Sequence, residues 1–322
     1  LCPGVRFTGV GGPLMQAQGM DSLFPMDELS VMGIAEVLPK YRHLMRRIRQ
    51  TAEAVLEAEP EALITIDSPD FSLRVAGRVK AEKPIRTIHY VAPTVWAWRP
   101  GRAQKMARVI DEVLCLFPFE PPYMTEVGMA AHFVGHPVST APQATEDQAA
   151  EFRATEGIAE DAPLVLVLPG SRRSEVTRLA PIFGKALRPV LASRPDARVV
   201  LPAADSVAGL VTDLVKRWPG SPLVLDPRGM TSDAAQARKL AAFRAADVAL
   251  AASGTVSLEL AAAETPMVIA YDMNWISRHM IKAALRIDTV TLVNLVSETR
   301  TVPEFLGAGC KPAAIANALS DL

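Results

Sequence analysis

Short apolar, β-branched runs alternate with longer amphipathic stretches along nearly the whole 322-residue chain. This alternation predicts parallel strands joined by crossover helices, because a buried parallel strand is a continuous apolar run and the chain returns through a helix. Strands are predicted at 62–66, 85–90, 110–116, 163–168, 197–201, 222–225, 247–251 and 266–271. Helices are predicted at 36–58, 71–82, 99–108, 174–192, 233–246 and 255–264. The fold class is therefore α/β, and residues 5–10 are a further strand-like run.

A segment rich in turn residues, 137–145, interrupts this alternation, which then restarts. We place a domain boundary there, with one α/β domain at 1–138 and a second at 139–322. The length agrees with two domains at about 150 residues each. Because the chain opens on Leu1 directly before a strand-like run, we expect its natural N-terminus to lie upstream.

Charge and cysteine content argue against several classes of protein. The chain has 34 Lys and Arg against 35 Asp and Glu, so its net charge of -1 does not suit a general nucleic-acid binder. Its three cysteines, Cys2, Cys115 and Cys310, have no metal-ligand spacing and suggest no disulfide framework, which fits a reducing compartment. No run approaches the roughly 18 apolar residues of a membrane-spanning helix. We expect no metal and no cofactor.

Positive charge is concentrated between residues 40 and 108, where there are 14 Lys and Arg but only 7 Asp and Glu. Apolar residues recur at helical spacing from 34 to 48, and basic residues interrupt them from 40 to 49. A basic amphipathic helix of this kind can lie on an anionic membrane surface. The alternative is a helix packed on the core with a solvated cationic face.

Two groups of chemically useful residues follow strands of the first domain. Asp67 and Asp70 come directly after strand 62–66, where ligands of open α/β sheets bind, and either carboxylate could act as a general base. Alternatively, Asp67 ends the strand and Asp70 caps the next helix. Trp96, Trp98 and Arg99 follow strand 85–90 and offer apolar surface and charge to a ligand, or they cover the sheet.

The second domain has two turns suited to a phosphate. Gly170, Ser171 and Arg172 lie between a strand and a helix, where free backbone N–H groups and a guanidinium can bind an anion. The turn lacks both the P-loop and the dinucleotide fingerprint, and an ordinary βα turn is the alternative.

The other turn combines hydroxyls with a carboxylate. Ser253, Gly254 and Thr255 follow strand 247–251, and Glu259 lies one helical turn further on the same face. A carboxylate there can accept hydrogen bonds from both hydroxyls of a ribose, so the spacing indicates a nucleoside-diphosphate site. A displaced capping box is the alternative.

Together these groups resemble the lipid-A-disaccharide synthase family of GT-B glycosyltransferases. The most specific matches are Asp-Ser-Pro-Asp-Phe at 67–71 and Val-Trp-Ala-Trp-Arg at 95–99. The others are 9–13, 31–38, 89–91, 118–120, 135–136, 168–172 with Glu175, 253–255 with Glu259, and 294–295. Two features depart from the family pattern. An opening strand with a Gly-Glu-x-Ser-Gly-Asp turn is absent from this sequence, and Asp272 follows Tyr271 where the family often has a basic residue.

The resemblance implies a hexosyltransferase with two Rossmann-like domains whose parallel sheets face a central cleft. It would condense UDP-2,3-diacylglucosamine with 2,3-diacylglucosamine 1-phosphate (lipid X), giving lipid A disaccharide 1-phosphate and UDP. The residues implied for the UDP-sugar are Gly170, Ser171, Arg172, Ser253, Gly254, Thr255, Glu259 and Asn294. Those implied for the lipid acceptor are Trp96, Trp98, Arg99 and His136. Asp67 would be the base, with Asp70 in reserve, and Arg172 would stabilise the leaving diphosphate.

The resemblance also implies a peripheral protein of lipopolysaccharide biosynthesis on the cytoplasmic face of the inner membrane, with an anionic membrane surface as partner and no nucleic acid. A homodimer is left open. The alternatives are another GT-B transferase or epimerase acting on a UDP-sugar, or an inactive remnant that binds lipid or UDP.

Overall fold

The computed structural model describes residues 4–29, 34–273 and 287–322. The chain divides into two compact units, one ending at Gly135 and the other beginning at His136. Each contains one parallel sheet with helical crossovers, which confirms the α/β class. Within the described ranges, every helix is too short or too polar to span a bilayer.

The first unit is built on a four-stranded sheet in the order β1-β2-β3-β4. Its strands are β1 Ala62–Ile66, β2 Arg86–Tyr90, β3 Glu112–Cys115 and β4 Ala130–Phe133. Its helices are α1 Pro13–Ala17, α2 Ile34–Ala58, α3 Pro69–Glu82, α4 Gly101–Met106 and α5 Pro121–Thr125, with a 3-10 turn at Met26–Leu29. The core lies on one face of this sheet, where Leu63 and Val113 pack with Ile48 of α2 and Val79 of α3.

The second unit contains a six-stranded sheet in the order β10-β9-β8-β5-β6-β7. Its strands are β5 Leu164–Leu168, β6 Arg198–Pro202, β7 Leu223–Leu225, β8 Val248–Ala251, β9 Met267–Tyr271 and β10 Glu304–Leu306. Its helices are α6 Glu146–Thr155, α7 Arg173–Ser193, α8 Ala208–Val215, α9 Ser232–Arg244, α10 Val256–Ala262, α11 Leu292–Val296 and α12 Pro312–Asp321. Three 3-10 turns lie at Pro137–Ser139, Asp205–Val207 and Gly307–Gly309.

The two sheets differ in how their faces are covered. In the second unit, Val165 and Val167 of β5 pack into one buried cluster, and Leu164, Leu166 and Leu168 into another. Because successive side chains of a strand point to opposite faces, both faces of this sheet are covered. In the first unit, Ile64 and Ile66 of β1 are 51% and 47% exposed. One face of the β1 edge therefore remains open to solvent.

All eight predicted internal strands and all six predicted helices are present, most with ends shifted by only a few residues. The prediction of a strand at 5–10 is wrong. Gly9 forms only an isolated bridge with Ser22, and Phe7 is 70% exposed. A strand needs a neighbour for its backbone hydrogen bonds, and in the described residues β1 pairs only with β2. Strands β4 and β10 were not predicted.

Candidate active site

The two glycine-containing turns of the second unit lie side by side. Strand β5 pairs with β8, with Leu168 opposite Ala251, and the N–H of Ala252 donates to the carbonyl of Leu168 over 2.8 Å. The turns that follow, 170–172 and 253–255, therefore leave the same edge of the sheet from neighbouring strands. This is the carboxyl edge, where ligands of open α/β sheets bind.

The turn after β5 is organised around Glu175. One carboxylate oxygen of Glu175 accepts the N–H groups of Ser171 and Arg172 over 3.2 and 3.3 Å, and the other accepts Nη1 of Arg172 over 2.9 Å. Gly170 has φ +113°, and a Cβ built there would lie 2.7 Å from Oε2 of Glu175. Glycine is needed here both for its backbone angle and for the close approach of the carboxylate.

The turn after β8 leads into α10. Ser257 caps this turn, donating its hydroxyl to the carbonyl of Gly254 over 2.9 Å. Gly254 has φ +154°, Ser253 is half-buried, and Gly254 and Thr255 are exposed. In the described part of the chain, the hydroxyls of Ser253 and Thr255 make no hydrogen bond to protein, so both can turn towards a ligand.

Glu259 projects from α10 and forms an ion pair with Nζ of Lys239 on α9. Both side chains are about one-third exposed. Lys239 could not be predicted from the sequence, because an ion pair between two residues that lie 20 positions apart on different helices leaves no local pattern.

His136 lies in the second unit, although it was assigned to the acceptor domain from the sequence. Its Nδ1 accepts the N–H of Val138 over 3.1 Å, and the 3-10 turn Pro137–Ser139 packs against α10. Burial lowers the pKa of His136, while the negative charge of Glu259 opposes that shift. The structure therefore groups His136 with the residues predicted for the UDP-sugar.

Asn294, which the sequence predicts to bind the UDP-sugar, is a buried residue of the second unit. Its side chain is 1% exposed, and its Nδ2 donates to the carbonyl of Val302 and to the hydroxyl of Thr289. Its Oδ1 accepts the N–H of Val302 over 3.0 Å. These bonds hold the segment from α11 to β10 together, so Asn294 supports the fold of this region.

In the first unit, Asp67 follows β1 in an unusual conformation. Asp67 and Ser68 both have φ 45°, and two consecutive non-glycine residues in the left-handed region cost energy that the surrounding bonds must offset. The N–H of Asp67 donates to the carbonyl of Tyr90, and its own carbonyl accepts the hydroxyl of Ser72. The carboxylate is exposed and makes no hydrogen bond or ion pair within the described residues.

Asp70 does not cap α3, so that part of the alternative interpretation is wrong. The N-cap is Ser68, Pro69 is the first helical residue, and Asp70 lies in the first turn. Its exposed carboxylate is placed to stabilise the helix N-terminus. Of the two candidate bases, Asp67 alone is held by a strained turn.

His89, in the matched segment 89–91, is a buried core residue. It is 1% exposed, and its Nδ1 shares a hydrogen bond of 2.7 Å with the hydroxyl of Thr65. Burial lowers the pKa of His89 to about 4, against the opposing charge of Asp67. The imidazole is therefore neutral at physiological pH.

The two tryptophans after β2 have different environments. Trp96 is buried, packs edge-on against Phe119 and donates its indole N–H to Glu120 over 3.3 Å. It therefore supports the loop from within, and its contact with the acceptor stays a prediction. Trp98 is half-buried, with the guanidinium of the exposed Arg99 4.3 Å from its ring centroid.

Glu120 ties together the loops after β2 and β3. It is 2% exposed and accepts the N–H groups of Leu116 and Phe117 as well as the indole of Trp96. Burial raises the pKa of this carboxyl, and the hydrogen bonds oppose the shift. These hydrogen bonds fix the loop that carries Trp98 and Arg99.

Comparison with known proteins agrees with the predicted resemblance. The model of the family described as lipid-A-disaccharide synthetase matches residues 2–322. The lipid-A-disaccharide synthase of Ruegeria pomeroyi is 62% identical over 320 residues, covering 99% of this chain and 80% of that protein. That of Rhodospirillum centenum is 48% identical over 322 residues, covering 99% of this chain and 77% of that protein.

Solved structures show the fold. The UDP co-structure of MnaA from S. aureus has a TM-score of 0.59 at 13% identity, covering 94% of this chain and 73% of that one. UDP-GlcNAc 2-epimerase from Neisseria meningitidis bound to UDP-GlcNAc has a TM-score of 0.57 at 12% identity, covering 96% and 86%. The architecture is the GT-B type predicted from the sequence.

Proposed function

The chain belongs to the lipid-A-disaccharide synthetase family, and on that premise we propose which of its residues carry out the reaction. It is a hexosyltransferase of lipid A biosynthesis. It transfers 2,3-diacylglucosamine from the UDP donor to 2,3-diacylglucosamine 1-phosphate and releases UDP.

The donor binds at the carboxyl edge of the second sheet. The observation that carries this proposal is the pairing of β5 with β8, which sets the turns 170–172 and 253–255 next to each other. Arg172 and the backbone N–H groups of its turn bind the diphosphate. Ser253 and Thr255 donate hydroxyls to phosphate oxygens, and the carboxylate of Glu259 accepts hydrogen bonds from the ribose hydroxyls.

Lys239 supports this arrangement, because its ion pair with Glu259 orients the carboxylate. His136 lies near the same carboxylate, whose negative charge opposes the lowering of the His136 pKa by burial. Both residues therefore help to position the group that recognises the ribose.

Asp67 is the general base in our proposal. The 6-hydroxyl of the acceptor attacks the anomeric carbon of the donor, and the bond from that carbon to the phosphate oxygen breaks. The hydroxyl proton passes to the Asp67 carboxylate, and the electron pair of the broken bond leaves on UDP. Arg172 stabilises the negative charge that develops on the diphosphate. Trp98 and Arg99 contact the acceptor.

The test is release of UDP from purified protein supplied with UDP-2,3-diacylglucosamine and lipid X. We expect turnover that requires both acylated substrates, and little release when UDP-N-acetylglucosamine replaces the donor. Epimerisation or equally fast transfer of the unacylated sugar would favour another GT-B activity. Absence of release from the acylated pair would contradict the proposal.

We also propose that the cationic face of α2 binds an anionic membrane surface, at the cytoplasmic face of the inner membrane. Arg42, Arg46 and Arg49 are exposed on α2, and together with Tyr41, Met45 and Arg78 they line a cavity of about 280 Å³. Arginine next to a tyrosine and a methionine suits the boundary between lipid headgroups and acyl chains. Residues 31–33, which open the family-matched segment 31–38, lie outside the described residues.

Arg47 does not belong to this face. Its guanidinium makes two hydrogen bonds to Glu28, of 2.6 and 2.7 Å, and lies 4.4 Å from the ring centroid of Phe24. His43 contacts the same carboxylate over 2.5 Å, and these contacts lower the pKa of Glu28 to about 2. Arg47 and His43 hold the 3-10 turn Met26–Leu29 to α2.

Substituting Arg42, Arg46 and Arg49 by glutamate is expected to abolish co-sedimentation with vesicles containing anionic phospholipid. The physical reason is a loss of about 1 kcal/mol of attraction per basic residue at such a surface, together with new repulsion. The matched control replaces the exposed Lys185, Arg188 and Arg217 of the second unit by glutamate, which changes the net charge equally. If both triple variants bind as the wild type does, α2 is not the membrane-binding face.

A further inference from the structure

We propose that Glu175 is a specificity-determining residue of the donor site, because its carboxylate occupies the place of a phosphate until the diphosphate displaces it. This inference rests on the proposed assignment of the diphosphate to the turn 170–172. Its first support is the hydrogen bonding of the carboxylate. Both oxygens of Glu175 bind donors of this turn: the N–H groups of Ser171 and Arg172, and Nη1 of Arg172.

The turn is shaped to accept this carboxylate. At Gly170 any Cβ would lie 2.7 Å from both Cβ and Oε2 of Glu175, so only glycine allows the side chain to fold back. The Glu175 side chain is 13% exposed, whereas that of Arg172 is 57% exposed. The acidic partner is therefore the fixed one, and the guanidinium remains accessible to a ligand.

The charge of Glu175 also reaches the end of a neighbouring strand. Burial raises the pKa of the Tyr271 phenol at the end of β9, and the Glu175 charge raises it further, while Arg172 and Arg178 act in the opposite direction. Glu175 thus lies among the groups that face the carboxyl edge of this sheet. A phosphate arriving there meets a negative charge that already neutralises Arg172.

The consequence is selectivity for ligands with enough negative charge to compete. A diphosphate can take over the N–H groups and the guanidinium, whereas an uncharged nucleoside gains nothing from displacing the carboxylate. The same competition weakens retention of UDP after transfer. Glu175 therefore lowers the affinity for UDP. In the same way it favours charged over uncharged ligands and eases the release of UDP after transfer.

Calorimetric titration of UDP and of uridine into the wild type and Glu175→Gln tests this proposal. Glutamine retains the capping geometry, because either residue can fill this position of a capping box. We expect the variant to bind UDP about three- to five-fold more tightly, the usual scale of one solvent-accessible charge pair, and uridine with unchanged affinity. Its melting temperature should stay within about 2 °C of the wild type, because glutamine keeps an acceptor oxygen for the N–H groups of the turn and the Arg172 side of the pair is 57% exposed.

Glu112→Gln is the matched control. Glu112 is also a largely buried carboxylate, 17% exposed, paired with an arginine, Arg86, but in the first unit. It should not change UDP affinity. Unchanged or weaker UDP binding by Glu175→Gln would overturn the proposal, as would an equal gain for uridine. If Arg172→Ala weakens UDP binding but Glu175→Gln does not strengthen it, the donor site stands and this inference alone fails. UDP binding insensitive to both changes would overturn the two together.

Discussion

Replacing Asp67 by asparagine is expected to lower kcat about 1,000-fold, within the range that a positioned general base contributes. Asparagine keeps the size of the side chain and tolerates the left-handed backbone at this position, where φ is 45°. It cannot accept the proton of the attacking hydroxyl. Since Asp67 is not assigned to the donor site, the affinity for UDP should not change. Steady-state release of UDP, with calorimetry for UDP binding, measures both quantities.

Asp70→Asn is the matched control for this experiment. Asp70 lies three residues further on and carries the same exposed carboxylate, but in the first turn of α3. We expect it to retain turnover within about ten-fold and to lose a few tenths of a kcal/mol of stability, because a negative charge at a helix N-terminus is favourable. If Asp70→Asn inactivates the protein and Asp67→Asn does not, the roles of the two residues are reversed.

The strands and main helices could be predicted because their signals are local. Strand β5, Leu-Val-Leu-Val-Leu, is buried throughout. A continuous apolar run of this kind is typical of a buried parallel strand in an α/β protein. Residues 5–10 look equally strand-like, yet pairing depends on a neighbour that the sequence pattern does not reveal. Strand β4 was missed for the opposite reason. Its four residues, Ala-Ala-His-Phe, are mostly exposed and have no apolar period.

The candidate site was predicted in part. The turns 170–172 and 253–255 carry local signatures, and only the strand order could show that they are neighbours. The tertiary partners of individual side chains could not be predicted. Trp96 donates a hydrogen bond to Glu120, and Asn294 forms hydrogen bonds with Thr289 and Val302. Burial and hydrogen bonding between distant residues decide whether a polar or aromatic group can meet a ligand, and sequence spacing does not report either.

Glu175 is a second example of tertiary contacts that sequence spacing does not reveal. Its spacing from Arg172 is that of a capping box, which predicts a helix start and a backbone contact. That the same carboxylate also binds the guanidinium, and fits only because residue 170 is glycine, appears once the side chains are placed. The capping-box spacing thus predicts the structural role of Glu175 but not its proposed role in ligand binding.

Replacing Arg172 by alanine is expected to weaken UDP binding about 10- to 100-fold, which corresponds to the loss of a hydrogen bond to a charged group. The loss of kcat/KM should be larger than the loss of UDP affinity, because the diphosphate gains negative charge as it leaves. Arg172→Lys should recover only part of the loss, since an ammonium group cannot form the two parallel hydrogen bonds of a guanidinium. Calorimetry and steady-state kinetics on the same preparations separate the two effects.

Arg173→Ala is the control that makes this result specific. Arg173 is the next residue, is exposed and begins α7, so its removal changes the net charge by the same amount at a neighbouring position. A general electrostatic effect would weaken UDP binding equally in both variants. We expect Arg173→Ala to stay within about three-fold of the wild type, because the strength of a charge-assisted hydrogen bond depends on geometry more than on nearby charge. Equal losses in the two variants would contradict the assignment of Arg172 to the diphosphate.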